Sequence, residues 1–271
     1  MNLIVAGRPV FAATGGRDFD PALPAAVLVH GAGMDHTVWS LQARFLAHRG
    51  RAVLAVDLPG HGRSAGAPLD TVAAMADWLG ELVAAASLGR AALVGHSMGA
   101  LASLAAAARH PEAVERVALL GAALRMPVHP DLLAAAKADD PVAIALIADW
   151  GHGTRGQTGA HAVPGLWLRG GTVRLLQQSA PGVLHADLKA CADYAGGAAD
   201  AAGVRAPALV VIGAQDRMTP PREGRALAAA IAGAEAIEIA GAGHVMMVEA
   251  PDATRTALAR FLLGGGAAQA A

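Results

Sequence analysis

Short apolar runs recur along the chain with helix-patterned stretches between them: Ala25–Val29, Ala52–Val56, Ala91–Val94, Val114–Leu120, Ala208–Ile212 and Ala236–Ile239. Aliphatic runs with little polar alternation read as strands buried on both faces. Strands separated by helices are joined by crossovers that keep them parallel. The rhythm therefore predicts an α/β fold, a mostly parallel sheet flanked by helices. Residues 1–14 are expected to add an antiparallel edge hairpin turning near Gly7-Arg8-Pro9. After Gly121 the rhythm stops, and 124–202 carries helical patterns and glycine-rich breaks without a convincing strand. This stretch reads as a helical cap inserted between two strands. The expected organisation is a core of 1–123 and 203–263, a cap of 124–202, and a flexible tail of 264–271.

Composition removes several classes of function. The chain is 54% hydrophobic but only 3% aromatic, so its core is aliphatic. Its net charge is -1 and its Lys and Arg residues are not clustered, which argues against nucleic acid and anionic membrane surfaces as partners. No run approaches the ~18 apolar residues needed to cross a bilayer. Met1–Pro9 lacks the basic and long apolar regions of a secretory signal. A cytoplasmic protein is expected, with its oligomeric state unreadable. Cys191 is the only cysteine, so no internal disulfide forms, and it reads as a small buried hydrophobe. His129, His152, His161 and His185 in the cap match no usual metal-ligand spacing. With no dinucleotide fingerprint and no P-loop either, no metal and no cofactor are expected.

Gly95-His96-Ser97-Met98-Gly99 follows the run Ala91–Val94 and precedes an alanine-rich helix former beginning at Ala100. A serine pinched between strand and helix, with glycine two places to either side, is the G-x-S-x-G nucleophile elbow. Such a serine needs a base, and the base needs an acid to orient it. Asp216 lies just past the run ending at Ile212, and His244 in Gly241-Ala242-Gly243-His244 lies just past the run ending at Ile239. In a parallel sheet both loops fall on the same edge as Ser97. The end of the preceding run, Gly121-Ala122-Ala123, carries no carboxylate, so the common alternative position for the acid is empty.

Together with His30-Gly31-Ala32-Gly33 and Asp57-Leu58-Pro59-Gly60-His61-Gly62-Arg63-Ser64, these motifs make the chain resemble the α/β-hydrolases of the esterase, enol-lactonase and haloperoxidase-like group. The resemblance covers about residues 1–121 and 204–263 and leaves the cap unmatched. It implies the α/β-hydrolase fold, with Ser97 as nucleophile, His244 as general base and then acid, and Asp216 holding the imidazole. It also implies an oxyanion hole made by the backbone N–H groups of Ala32 and Met98. His30 and His61 are expected to brace their own loops, and the His96 side chain is expected to turn away from substrate.

A serine at the elbow excludes the relatives that use aspartate there, the haloalkane dehalogenases and epoxide hydrolases. The expected reaction is cleavage of a small or medium carboxylic ester or lactone through an acyl-serine. Trp150, His152, Trp167 and Val245 are candidate pocket residues. Arg169, Arg174 and Lys189 are scattered without a pattern that would clamp an acidic substrate. Two other readings stay open: a C–C bond hydrolase of the meta-cleavage type, and a non-catalytic ligand receptor on the same fold.

Overall fold

A computed structural model of the protein describes residues 1–159 and 166–264. His161 and all of the expected tail beyond Gly264 lie outside the described residues. The strands are β1 (Asn2–Val5), β2 (Arg8–Ala13), β3 (Ala25–Val29), β4 (Ala52–Val56), β5 (Ala91–His96), β6 (Val114–Leu120), β7 (Ala208–Gly213) and β8 (Glu235–Ile239). They form one sheet in the order β1-β2-β4-β3-β5-β6-β7-β8. β1 and β2 are antiparallel, and β4 through β8 are parallel.

The edge hairpin turns at Ala6-Gly7, earlier than expected, with φ of 48° and 73°. Positive φ at both central positions suits a two-residue hairpin turn. Arg8 and Pro9 already pair with Val5 and Ile4. Pro9 is tolerated because β2 pairs with β4 only through Ala12 and Ala13, so its missing N–H faces no partner on that side.

The helices are α1 (Ser40–Ala47), α2 (Val72–Ala85), α3 (Met98–Arg109), α4 (Pro130–Lys137), α5 (Pro141–Gly151), α6 (Thr154–Thr158), α7 (Leu168–Leu176), α8 (Val183–Asp193), α9 (Gly197–Gly203), α10 (Pro221–Ala230), α11 (Met246–Glu249) and α12 (Pro251–Leu263). Successive strand residues point to opposite faces. Leu54, Leu93, Val210 and Ile212 meet α2, α3 and α10 on one face, while Leu28, Val53, Val94 and Val211 meet α1 and α12 on the other. Thr71 starts α2 by accepting the Ala74 N–H on its hydroxyl at 3.1 Å. α3 is buried from Met98 to Ala107, which its alanines allow, since small side chains let α2 and α9 approach closely.

Between β6 and β7 the described elements are helices α4–α9 and include no strand. α9 packs on α3 with the layer that covers the sheet. α4, α5, α7 and α8 contribute Leu132, Ile147, Leu176 and Leu188 to the apolar cluster that includes Met34. No described helix is long and apolar enough to cross a membrane.

The strand order reverses at β3: β4 lies on one side of it and β5 on the other. In open α/β sheets this switch opens a crevice at the carboxyl ends of the central strands. The loops after β3 and β5, which carry Ala32 and Ser97, flank that crevice.

Candidate active site

Ser97 sits between β5 and α3 with φ 53° and ψ -119°, a conformation that stores of order 1–3 kcal/mol for a residue with a side chain. The flanking glycines explain how the chain tolerates it. A Cβ on Gly95 would lie 2.2 Å from the Gly99 carbonyl oxygen, and one on Gly99 would lie 2.4 Å from the carbonyl oxygens of Val29 and His30. The helix therefore begins directly over β5 and against β3, which larger residues would forbid. The Ser97 N–H donates to the Leu120 carbonyl at 2.9 Å, tying the elbow to β6. The partial positive charge of the α3 N-terminus falls at the serine.

Asp216 follows β7. Its Oδ1 accepts the N–H groups of Met218 and Thr219, each at 2.8 Å. Its Oδ2 accepts the Thr219 hydroxyl at 2.6 Å and His244 Nδ1 at 2.8 Å. Burial alone would raise its pKa, but His244 and the Thr219 donors outweigh it and hold the carboxyl below its ordinary value.

With Nδ1–H donating to Asp216, the neutral form of the His244 ring presents a lone pair on Nε2. That nitrogen is buried and has no hydrogen-bond partner. The His244 main chain is gripped from α5, since the N–H groups of His244 and Val245 both donate to the Gly151 carbonyl, at 2.9 and 3.2 Å. His96 does not turn away from this group. Its ring packs 4.8 Å from that of His244, its Nε2 donates to the His244 carbonyl at 3.0 Å, and the residue lines the cavity. Burial, then the neighbouring His244, pushes the His96 pKa down to about 3, so the ring is neutral.

The loop expected to carry the oxyanion donor Ala32 follows β3. A Cβ on Gly31 would lie 2.8 Å from His96 Nδ1 and 3.2 Å from Ser97 Cβ, so this loop presses on the elbow. His30 holds it from below: Nδ1 donates to the Gly31 carbonyl at 2.9 Å and Nε2 accepts the Leu58 N–H at 3.1 Å. Met98 is the first residue of α3, where an N–H has no intrahelical acceptor.

Ser97, His244 and Ala32 face a cavity of about 310 Å³. Val128, Leu132, Ile147, Trp150, Leu188 and Val245 make apolar walls. Cys191 also lines it, buried as expected, with its thiol pKa raised by burial and then by the Asp187 charge. Of the expected pocket residues, Trp150 and Val245 line this cavity, and His152 and Trp167 do not. His152 is fully buried beside the α5 end, its Nε2 bonded to the Thr172 hydroxyl at 2.8 Å. There Glu249 accepts the Gly153 and Gly243 N–H groups, at 2.8 and 3.1 Å, in a junction too tight for side chains at either glycine. Trp167 is 65% exposed and borders a separate groove with Leu41 and Leu175.

Of the scattered cations, Arg169 pairs with Asp149 at 2.7 Å and Lys189 pairs with Asp193. The cation that lines the cavity is Arg217, which the sequence reading missed although it adjoins Asp216. Thr219 was missed too, although an Asp followed three places later by Thr is a recognisable side-chain-to-backbone motif. Among the described residues, Asp35, His36 and Asp57 bring three potential metal ligands within 4.8 Å. Asp57 is already occupied there by the His36 and Arg63 N–H groups and the His36 ring.

Comparison with known proteins places the fold in a family. Residues 26–257 match the model of the alpha/beta hydrolase family, and the chain belongs to that family. Among curated relatives, the putative carbamate hydrolase RutD of Caulobacter sp. (strain K31) is 31% identical over 256 residues, covering 89% of this chain and 91% of that protein. Among solved structures, the enol-lactonase from Burkholderia xenovorans LB400 superposes with a TM-score of 0.84 at 27% identity, covering 97% of this chain and all of that one. A thermophilic esterase from Thermogutta terrifontis shares the fold at a TM-score of 0.82 and 22% identity, with 97% of each chain covered.

Proposed function

We propose that this protein is a serine hydrolase that cleaves small or medium carboxylic esters or lactones, with residues 124–202 acting as a cap over the site. The observation that carries the reading is His244: Nδ1 is held by Asp216 while Nε2 stands unpartnered in the cavity that Ser97 also lines. In this mechanism Nε2 takes the Ser97 hydroxyl proton as Oγ attacks the carbonyl carbon. The N–H groups of Ala32 and Met98 receive the oxyanion, and each such donor is typically worth about 3–4 kcal/mol in the transition state. Collapse expels the alcohol, protonated by His244, and leaves an acyl-serine. His244 then draws a proton from water, which attacks the acyl carbon and frees Ser97.

The aliphatic walls suit an acyl group of modest size. A lactone differs from an ester only in keeping its alcohol attached, which fits the likeness to an enol-lactonase. A carbamate presents the same kind of carbonyl, so the relative named as a putative carbamate hydrolase is compatible with this chemistry.

Hydrolysis of nitrophenyl esters from acetate to long acyl chains, beside Ser97→Ala, tests the reading. Turnover should peak at one chain length and fall by about 10⁴–10⁶-fold in Ser97→Ala. A fluorophosphonate should label the wild type and not the variant. Hydrolysis persisting in folded Ser97→Ala would rule out the serine mechanism, and binding without turnover would favour a receptor.

A further inference from the structure

α8 carries a carboxylate into the base of the oxyanion loop. Asp187 is fully buried, and its Oδ2 accepts both the Gly33 N–H at 2.7 Å and His61 Nε2 at 2.8 Å. His61 Nδ1 faces the Pro59 carbonyl at 3.0 Å. Carbonyl and carboxylate oxygens only accept, so both ring nitrogens donate and His61 is an imidazolium. Its pKa is raised accordingly: burial opposes the charge, but the Asp187 hydrogen bond and charge outweigh it. His30, its ring 4.8 Å away, spends its Nδ1 proton on Gly31 and stays neutral. A buried ion pair thus lies under the loop, linking residues 126 positions apart in the chain.

The loop itself is a turn closed by the Met34 N–H on the Gly31 carbonyl at 3.1 Å, with Gly33 at φ +66°. A positive φ at the third position is what a type II turn requires. Conversion to type I turns over the peptide between the second and third residues, here Ala32 and Gly33, and Asp187 holds the N–H of that peptide. Leu184 and Leu176 close over Gly33, where a Cβ would come within 2.9 and 3.1 Å of their methyl groups. Asp187 Oδ1 is buried and lacks a hydrogen-bond partner. A buried ion pair left with an idle oxygen is weak as a stability device, and such a group calls for another explanation.

We propose that Asp187 is a positioning residue of the oxyanion hole: clamped to His61, it pins the Ala32–Gly33 peptide and so fixes the turn on which the preceding Gly31–Ala32 peptide aims the Ala32 N–H at the developing oxyanion. The helical segment then completes the catalytic apparatus as well as walling the pocket. This rests on the serine-hydrolase reading and on Ala32 as an oxyanion donor.

Asp187→Asn is nearly isosteric but removes the charge that holds the imidazolium. It should lower kcat roughly 10- to 100-fold while KM moves less than about threefold. The Ki of a trifluoromethyl ketone, whose adduct places an oxyanion in the hole, should rise in proportion to the fall in kcat/KM. His61→Gln, from the other end of the clamp, should reproduce the pattern and carries the test if Asp187→Asn fails to fold. Val183→Ala loosens α8 through a buried apolar contact alone, and should lower Tm without this split. Folded clamp variants with kcat and Ki within about twofold of wild type would overturn the proposal. The wild type and Ser97→Ala run beside them keep the failures apart: turnover lost in Ser97→Ala upholds the hydrolase reading whatever Asp187→Asn does, whereas an inert wild type sinks both.

Discussion

Gly99 permits the elbow by having no side chain: any Cβ there must displace the backbone carbonyls of Val29, at the end of β3, and His30, just after it, which the strand holds in place. Gly99→Ala is expected to destabilise the fold by about 2–4 kcal/mol and to lower kcat, because relief of the clash moves α3 and with it Ser97 and Met98. Urea unfolding beside ester turnover checks this, and a variant as stable as wild type would contradict the packing argument. At this scale Ser97, Asp216 and His244 were legible because each lies beside glycines or at the end of an apolar run. Thr219 and Asp187 were not. Asp187 looks like an ordinary helix-surface acid in Leu184-His185-Ala186-Asp187-Leu188, and only the folded chain brings it to Gly33, 154 positions away.

Elements divide the work differently. The loops after β3, β5, β7 and β8 hold the proposed reacting groups, while the segment after β6 together with α4, α5 and α8 supplies most of the cavity wall. Substrate size should therefore be set by residues that leave the proposed triad untouched. Trp150→Ala opens the wall made by α5 and should shift the preferred nitrophenyl ester towards longer acyl chains. Met126→Trp, in the segment after β6, should shift it towards acetate. Changes of roughly tenfold in kcat/KM between neighbouring chain lengths are expected. A uniform loss across the series would mean that these side chains do not bound the acyl group. The strands were readable because a buried parallel strand is a continuous aliphatic run, and the helices after them because proline, threonine or serine marks their starts. How α4–α9 stack was not readable, since alanine-rich helices present similar apolar faces in many directions. Hence His152, chosen from its glycine-flanked stretch, and Trp167, chosen as one of the few aromatics, fall outside this cavity.

The whole molecule buries its histidines in opposite charge states, and its stability should record this. His30 and His96 are fully buried, with pKa values lowered to about 4 and about 3; burial dominates in each, followed by repulsion from His61 and His244 respectively. In the unfolded chain both titrate near 6.5. Between about pH 6.5 and pH 4 the unfolded state therefore binds protons that the folded state refuses, so stability falls on acidification. Each histidine contributes about 1.4 kcal/mol per pH unit across that window. The lowered Asp216 pKa acts further down: its contribution is present above the unfolded carboxyl value near pH 4 and is lost as pH drops below it. His61 has the opposite sign. Its raised pKa gives stability that is complete below about pH 6.5 and is lost as pH climbs through the folded value. The urea midpoint should accordingly be highest near neutrality and decline on both sides. His96→Asn removes one of the buried neutral rings and should roughly halve the acid slope above pH 4 without changing the alkaline limb. Asp187→Asn, which takes away the partner of His61, should flatten the alkaline limb. An acid slope unchanged in His96→Asn would mean that His96 is protonated in the folded protein, contrary to the geometry that gives it one acceptor on Nε2 and none on Nδ1.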